Sequence, residues 1–121
     1  MEAASAEVLR AGLLEIRPAE YKALADGRAL ALTVRELDLL CALVRRRGRI
    51  VSRAELYAVV WGRPYRSDDR SVDVYVRKLR RKLTVALPGW KFIHTHFGFG
   101  YRFAEEPVGL SHDFHNSVTP G

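Results

Sequence analysis

One cysteine, Cys41, stands in a chain of 121 residues, so no internal disulfide can form and no cysteine cluster can build a zinc site. Its setting in "LDLLCALV" is apolar, which makes it a small buried hydrophobe rather than a reactive thiol. No apolar run approaches the roughly 18 to 20 residues of a membrane-spanning helix. The N-terminal segment also lacks the basic and then apolar stretches of a signal peptide. The expectation is a cytoplasmic protein that does not engage a membrane. Internal repeats and low-complexity tracts are missing. So are a G-x-x-x-x-G-K-S/T phosphate loop, a nucleophile elbow and a Ser/His/Asp set, which leaves no enzyme chemistry and no catalytic residue to name. Acids are the scarcer charge, with 14 Asp and Glu against 20 Lys and Arg, a formal net charge of +6.

What remains is a chain long enough for one domain with a modest core, 48% hydrophobic, hence folded rather than a basic tail. Its charge excess is concentrated. In "RSVDVYVRKLRRKL", residues 70 to 83, Arg70, Arg77, Lys78, Arg80, Arg81 and Lys82 face a single acid, Asp73. At 100° per residue Val72, Val76, Leu79 and Leu83 form one narrow apolar stripe, the buried face of a helix. Val74 and Arg81 lie opposite, flanked by Arg70, Arg77 and Lys78, with Tyr75, Lys82, Asp73 and Arg80 at the borders. A solvated face ordinarily mixes signs at i,i+4, whereas this one repels itself and offers only Asp73 to Arg77 or Arg80. Val74 amid the cations has the size to touch a thymine methyl. An acidic partner, nucleic acid before membrane, fits this face.

Around this helix the sequence divides cleanly. Residues 1–7, "MEAASAE", are small and polar and read as a disordered N-terminus. "VLR", "LLEIR", "YKAL" and "RALAL" are short strands of an antiparallel meander, with Asp26-Gly27 as a hairpin turn. Thr33 and Glu36 form a capping box before a helix that runs to about Arg47 and stops at Gly48. Ser52 and Glu55 repeat the box before a second helix with Leu56, Val59 and Val60 as its buried stripe. Trp61 follows that stripe. Asp68 or Asp69 caps the third, basic helix, at 69–83. "KFIHTHFGFGYRF" reads as a terminal hairpin that closes the domain, 8–103, and residues 104–121 as a mobile tail. The fold class is α+β: a meander, three helices and a C-terminal hairpin, the order of a winged helix-turn-helix.

"LTVRELDLLCALVRRRGRIVSRAELYAVVWG", "DDRSVDVYVRKLRRKL" and "GFGYRF", in this order and at these separations, resemble the C-terminal effector domain of OmpR/PhoB-type response regulators of two-component systems. The resemblance implies a transcription regulator that reads promoter DNA, commonly as a tandem dimer on direct repeats. Base contacts would come from Val74 and Lys78, with Arg77 and Arg81, most of them residues the helical wheel had already placed on the outer face. Phosphate contacts would fall to Arg70, Ser71, Tyr75, Arg80, Thr95 and Tyr101. The loop that touches RNA polymerase in the family corresponds to residues 61–67, with Arg63, Pro64, Tyr65 and Arg66. No metal or other cofactor is implied. The family's wing turn commonly reads T-V-R-G, its arginine entering the minor groove, where this chain has Thr95-His96-Phe97-Gly98. Phe97 lacks that charge, and three roles stay open: packing on its own strands, meeting a partner, or wedging at a base step. These residues include no receiver domain, so phosphorylation in the family's usual manner is not expected within them.

Other groups carry competing readings. A second basic run, Arg45, Arg46, Arg47, Arg49 and Arg53, contains no acid, and either opposes the first helix's dipole or touches phosphates. His94 and His96 share a strand face and His112, Asp113 and His115 form an H-x-x-H tail, from which a metal site could be drawn. Trp61, Tyr65 and Phe97 could instead anchor a protein partner, with the basic helix serving an acidic protein surface.

Overall fold

A computed structural model describes residues 7 to 109. Residues 1–6 of the expected N-terminal segment and 110–121 of the expected tail, with His112, Asp113 and His115, lie outside the described residues. The meander is present: β1 (Leu9–Ala11), β2 (Leu14–Arg17), β3 (Lys22–Ala25) and β4 (Arg28–Ala29) pair antiparallel in sequence order. A single 3-10 turn at Pro18–Glu20 joins β2 to β3, and Asp26 and Gly27 take the positive φ that the next turn requires. Strand alternation buries Leu14, Ile16, Ala23 and Ala25 on one face.

Helix α1 (Val34–Arg45) starts as the sequence predicts. Thr33 Oγ1 accepts from the Glu36 backbone N–H at 3.2 Å, and Glu36 Oε1 accepts from the Thr33 N–H at 2.9 Å. Leu37, Leu39, Leu40, Cys41, Leu43 and Val44 are all buried, so α1 is the central helix. It stops two residues short of the expected Arg47. The chain turns there, and Gly48, at φ 82°, donates its N–H to the Phe103 carbonyl.

That turn leads into an element the sequence reading missed, β5 (Ile50–Val51), which pairs with the hairpin strand β7 (Gly100–Pro107); β6 (Trp90–His96) completes a sheet of order β5-β7-β6. The hairpin was expected to close at Phe103, yet Ala104–Pro107 continue it, because Lys91 and Trp90 pair with Glu106 and Pro107. Gly100 fixes the other end. A Cβ there would lie 2.0 Å from the Val51 carbonyl oxygen, so only glycine lets β7 approach β5.

Helix α2 (Arg53–Trp61) begins with half of its expected box. Ser52 Oγ accepts from the Glu55 N–H at 3.1 Å, but the Glu55 carboxylate is held by Arg46 and Arg49 rather than returning to Ser52. Its buried stripe also differs: Leu56 and Tyr57 are buried, Val60 is half-buried and Val59 is 49% exposed. Helix α3 runs Ser71–Ala86, starting later and ending later than 69–83. Thr84 to Ala86 add no breaker, and the buried Leu87 ends the helix with its N–H on Leu83 O. Val72, Val76, Leu79 and Leu83 are the buried residues of α3, the stripe read from the sequence. Each contributes about 2 kcal/mol by leaving water, enough to hold so cationic a helix on the core.

Candidate nucleic-acid interface

Because the apolar stripe pins α3 on one side, its opposite side is fixed outward. Arg77, Lys78 and Arg81 are exposed and belong to no ion pair among the described residues. Arg70 is exposed beside them, 4.0 Å from Asp73 Oδ2. Lys78 Nζ lies 5.0 Å from the Tyr75 ring centroid, and Val74 and Tyr75 are half-buried at the edge of the cation surface. Arg77, Lys78, Arg81 and Lys82 line one shallow depression with Glu36. Lys82 differs from its neighbours, for its Nζ sits 2.6 Å from Glu36 Oε1, tying α3 to the start of α1. Burial alone would raise the Glu36 pKa, but the Lys82 bond and the Thr33 cap hold it below the usual value.

Asp73 does not serve Arg77 or Arg80 as expected. Its Oδ1 accepts from Arg53 Nε at 2.7 Å and from the Tyr101 hydroxyl at 2.5 Å, joining α2, α3 and β7 at one carboxylate. This leaves Arg77 without a local acid. It also commits Tyr101, expected at a phosphate: the residue is buried, its hydroxyl donates its hydrogen bond to Asp73, and burial first, then Asp73, raises its pKa. The guanidinium carbons of Arg53 and Arg80 stand 5.4 and 5.9 Å from its ring centroid. Arg80 is half-buried, with Nη2 donating to Thr95 Oγ1 at 2.9 Å and Nε buried without a partner. Thus Arg80 and Thr95, both expected at phosphates, form one unit that spans α3 and β6. No sequence spacing signals the Asp73 and Glu36 contacts, whose partners stand 20, 28 and 46 residues away.

At the head of α3, Asp69 Oδ1 accepts from the Ser71 N–H at 2.7 Å, while Asp68 turns to Arg66 at 3.6 Å. Neither acid is the N-cap, a position Arg70 holds with no side-chain cap bond; Asp69 stands one residue earlier and accepts from the first N–H of the helix, and its bonds with Ser71 lower its pKa. In the preceding loop Arg63, Pro64 and Arg66 are exposed. Tyr65 instead braces the loop, packing its ring edge-on to Tyr57 at 5.7 Å and donating its hydroxyl to the Asp69 carbonyl at 3.3 Å. Trp61 is half-buried, stacked on Tyr57 at 5.1 Å beneath the Arg35 guanidinium at 4.9 Å.

The other basic run has a different fate. Arg45 meets Glu7 at 2.6 Å, Arg46 and Arg49 meet Glu55 at 2.9 and 2.8 Å, Arg47 reaches Glu105 at 4.0 Å, and Arg53 holds Asp73. Arg46 Nη1 also donates to the Ala42 carbonyl near the end of α1, at 3.0 Å. Of the histidines considered for a metal, His94 is buried with Nε2 donating to the Ala104 carbonyl at 2.9 Å, and His96 Nε2 accepts from Arg102 Nε at 3.1 Å. Burial lowers the His94 pKa. Phe97 is 86% exposed, which rules out the first of its three open roles, packing on its own strands, and Phe99 is 72% exposed.

Known proteins share this arrangement. Residues 27–103 match the family described as transcriptional regulatory protein, C terminal. The transcriptional regulatory protein PrrA of Mycobacterium leprae is 38% identical over 97 residues, 80% of this chain and 41% of that protein. The transcriptional activator protein IrlR of Burkholderia pseudomallei is 39% identical over 100 residues, 83% of this chain and 43% of that protein. This chain therefore spans less than half the length of these curated relatives. Among solved structures, the DNA-binding domain of CpxR from Escherichia coli superposes with a TM-score of 0.74 at 33% identity, over 81% of this chain and 96% of that one. The Klebsiella pneumoniae RstA DNA-binding domain, solved in complex with the RstA box, gives 0.73 at 33% identity, over 81% and 97%. The response regulator DrrB, an OmpR/PhoB homologue of Thermotoga maritima, gives 0.68 at 25% identity, over 80% and 44%. No helix among the described residues is long and apolar enough to cross a membrane. With the meander, the three helices and the hairpin in the expected order, the chain belongs to the transcriptional regulatory protein C-terminal family, the winged helix-turn-helix effector domains of OmpR/PhoB-type response regulators.

Proposed function

We propose that this chain is a sequence-specific binder of double-stranded DNA that regulates transcription in the cytoplasm, with α3 in the major groove. One observation carries the reading: the outer face of α3 holds Arg77, Lys78 and Arg81 exposed and unpaired among the described residues, while the arginines of the other basic run are matched by acids. A major groove about 12 Å wide admits such a helix. Lys78 donates to guanine O6 or N7, Val74 meets a thymine methyl, and Arg77 and Arg81 reach base edges or the flanking phosphates. Arg70, Ser71 and Tyr75 contact phosphates at the helix head, where backbone N–H groups also point outward. Arg80 contacts a phosphate together with Thr95, its guanidinium aimed by the Thr95 hydroxyl. Tyr101 acts as a positioning residue: by holding Asp73 Oδ1 together with Arg53 it keeps that acid from Arg77. Exposed Arg63, Pro64 and Arg66 offer a surface to RNA polymerase, braced by Tyr65. Two copies bind in tandem on direct repeats, which extends the recognition that one small domain can achieve.

Selection from a random duplex pool at physiological salt tests this reading. Enrichment of a repeated motif at one-turn spacing is the expected result, and retention without any motif contradicts sequence-specific recognition.

A further inference from the structure

The hairpin turn carries the two most exposed aromatics among the described residues, Phe97 and Phe99, neither of them part of the α3 face. The last β6–β7 pair is His96 with Gly100, so Phe97, Gly98 and Phe99 project beyond the sheet. The turn is closed by the Phe99 N–H on the His96 carbonyl at 2.9 Å and by Gly98 at φ 84°, a conformation glycine adopts without strain. Its base is rigid, because Gly100 abuts Val51 and Tyr101 is bonded to α3 through Asp73. Leaving Phe97 86% and Phe99 72% in water is costly for side chains of this size. Neither stacks on another aromatic ring among the described residues.

We infer that Phe97, seconded by Phe99, is an apolar wedge that enters the minor groove beside the site of α3 and partly unstacks a base step. This deepens the DNA-binding reading and rests on it. β6 runs alongside α3, as the bond of Arg80 to Thr95 shows, and the turn lies just beyond Thr95. With α3 in a major groove, a hairpin flanking it must cross one phosphate strand, and the next groove is the minor one. Arg80, in no ion pair among the described residues, stands at the base of the turn through its bond to Thr95, which suits an anionic occupant. A phenyl ring cannot bond the acceptors of the groove floor, so its gain comes from stacking at an opened step. Pyrimidine–purine steps open most readily, and the wedge therefore selects a flexible step at a position where no side chain reads a base edge.

The test uses the duplex recovered from pool selection, with 2-aminopurine placed in turn at each position on the wing side and dyes at the two ends. Wild type should raise fluorescence at one step and bend the duplex by about 20° or more. F97L should keep both signals. F97A should lose both and bind about tenfold more weakly where that step is flexible, with the salt dependence unchanged because no charge is removed. F97R should recover affinity without unstacking and steepen the salt slope by about 0.9. Tight wild-type binding with no unstacked step, or an F97A protein that still unstacks one, overturns the wedge and leaves DNA binding standing. Self-association of the free domain that F97A abolishes, with no unstacked step, reassigns the tip to a second copy and also overturns it. If wild type fails to bind any duplex, the DNA reading and the wedge fall together.

Discussion

Two basic runs, residues 45–53 and 70–82, look alike as charge and differ in what surrounds them. The first carries five arginines and the fold brings Glu7, Glu55, Glu105 and Asp73 to them from four other segments. These pairs join the N-terminal strand region, α1, α2, α3 and the hairpin, so the first run acts as internal bracing. The second run loses its one acid, Asp73, to Arg53 and Tyr101, and presents Arg77, Lys78 and Arg81 outward. Cations that are already paired release few counterions when DNA arrives, whereas unpaired ones are free to displace them. The lesson is that function follows the location of the acids more than the location of the arginines.

Lys82 sharpens the comparison, since it belongs to the second run yet is paired like the first. E36A removes its partner and the carboxylate half of the α1 capping box together, and should lower stability by about 3 kcal/mol, read by urea denaturation. A change below about 0.5 kcal/mol would mean that this buried contact contributes nothing to docking α3. Next in size, R77A/R81A should weaken duplex binding about a hundredfold at low salt, whereas R45A/R49A should change it less than about threefold. Anisotropy titrations on the selected duplex decide between them, and similar losses would erase the distinction between the runs. Within the outer face, K78A should reduce the preference for cognate over scrambled duplex by about tenfold, while R80A should weaken both alike. Smallest is the effect of E55Q, which frees Arg46 and Arg49. Bonds from Arg49 and then Arg46 pull the Glu55 pKa from its ordinary 4.5 to about 2. The folded state thus favours the ionised form: its stabilisation is complete above pH 4.5 and is lost as the pH falls toward 2. E55Q should cost about 0.5 kcal/mol at pH 7 and nothing near pH 2, because the pair is half in water. A constant difference between the two proteins across that range would contradict the assignment.

Local signals made much of this legible in sequence. Thr33 and Glu36 stand three apart and cap α1 as read, and the stripe of Val72, Val76, Leu79 and Leu83 fixed which side of α3 faces out before any contact was known. What stayed hidden depends on partners far along the chain. β5 is two residues long and exists because Tyr101 and Arg102 lie opposite it. Ala104 to Pro107 look like a tail, with acids and a proline, until β6 supplies a pairing edge and Arg47 and Arg102 supply cations. Val59 fits the helical stripe of α2 but meets no covering element, since the groove beside it, with Pro18 and Tyr21, is open. The commitments of Tyr101, Asp73 and Arg80 were invisible for the same reason. Each is a tertiary contact between groups whose sequence spacing carries no periodic signal.

The most direct test of the central claim is the salt dependence of binding to the selected duplex. Contact with about five phosphates predicts that log K falls against log salt with a slope near −4 to −5. Each of R77A and R81A should make it shallower by about 0.9, and R45A or R49A should leave it where it is. A slope near zero for wild type, or an equal loss of slope from both runs, would contradict the account.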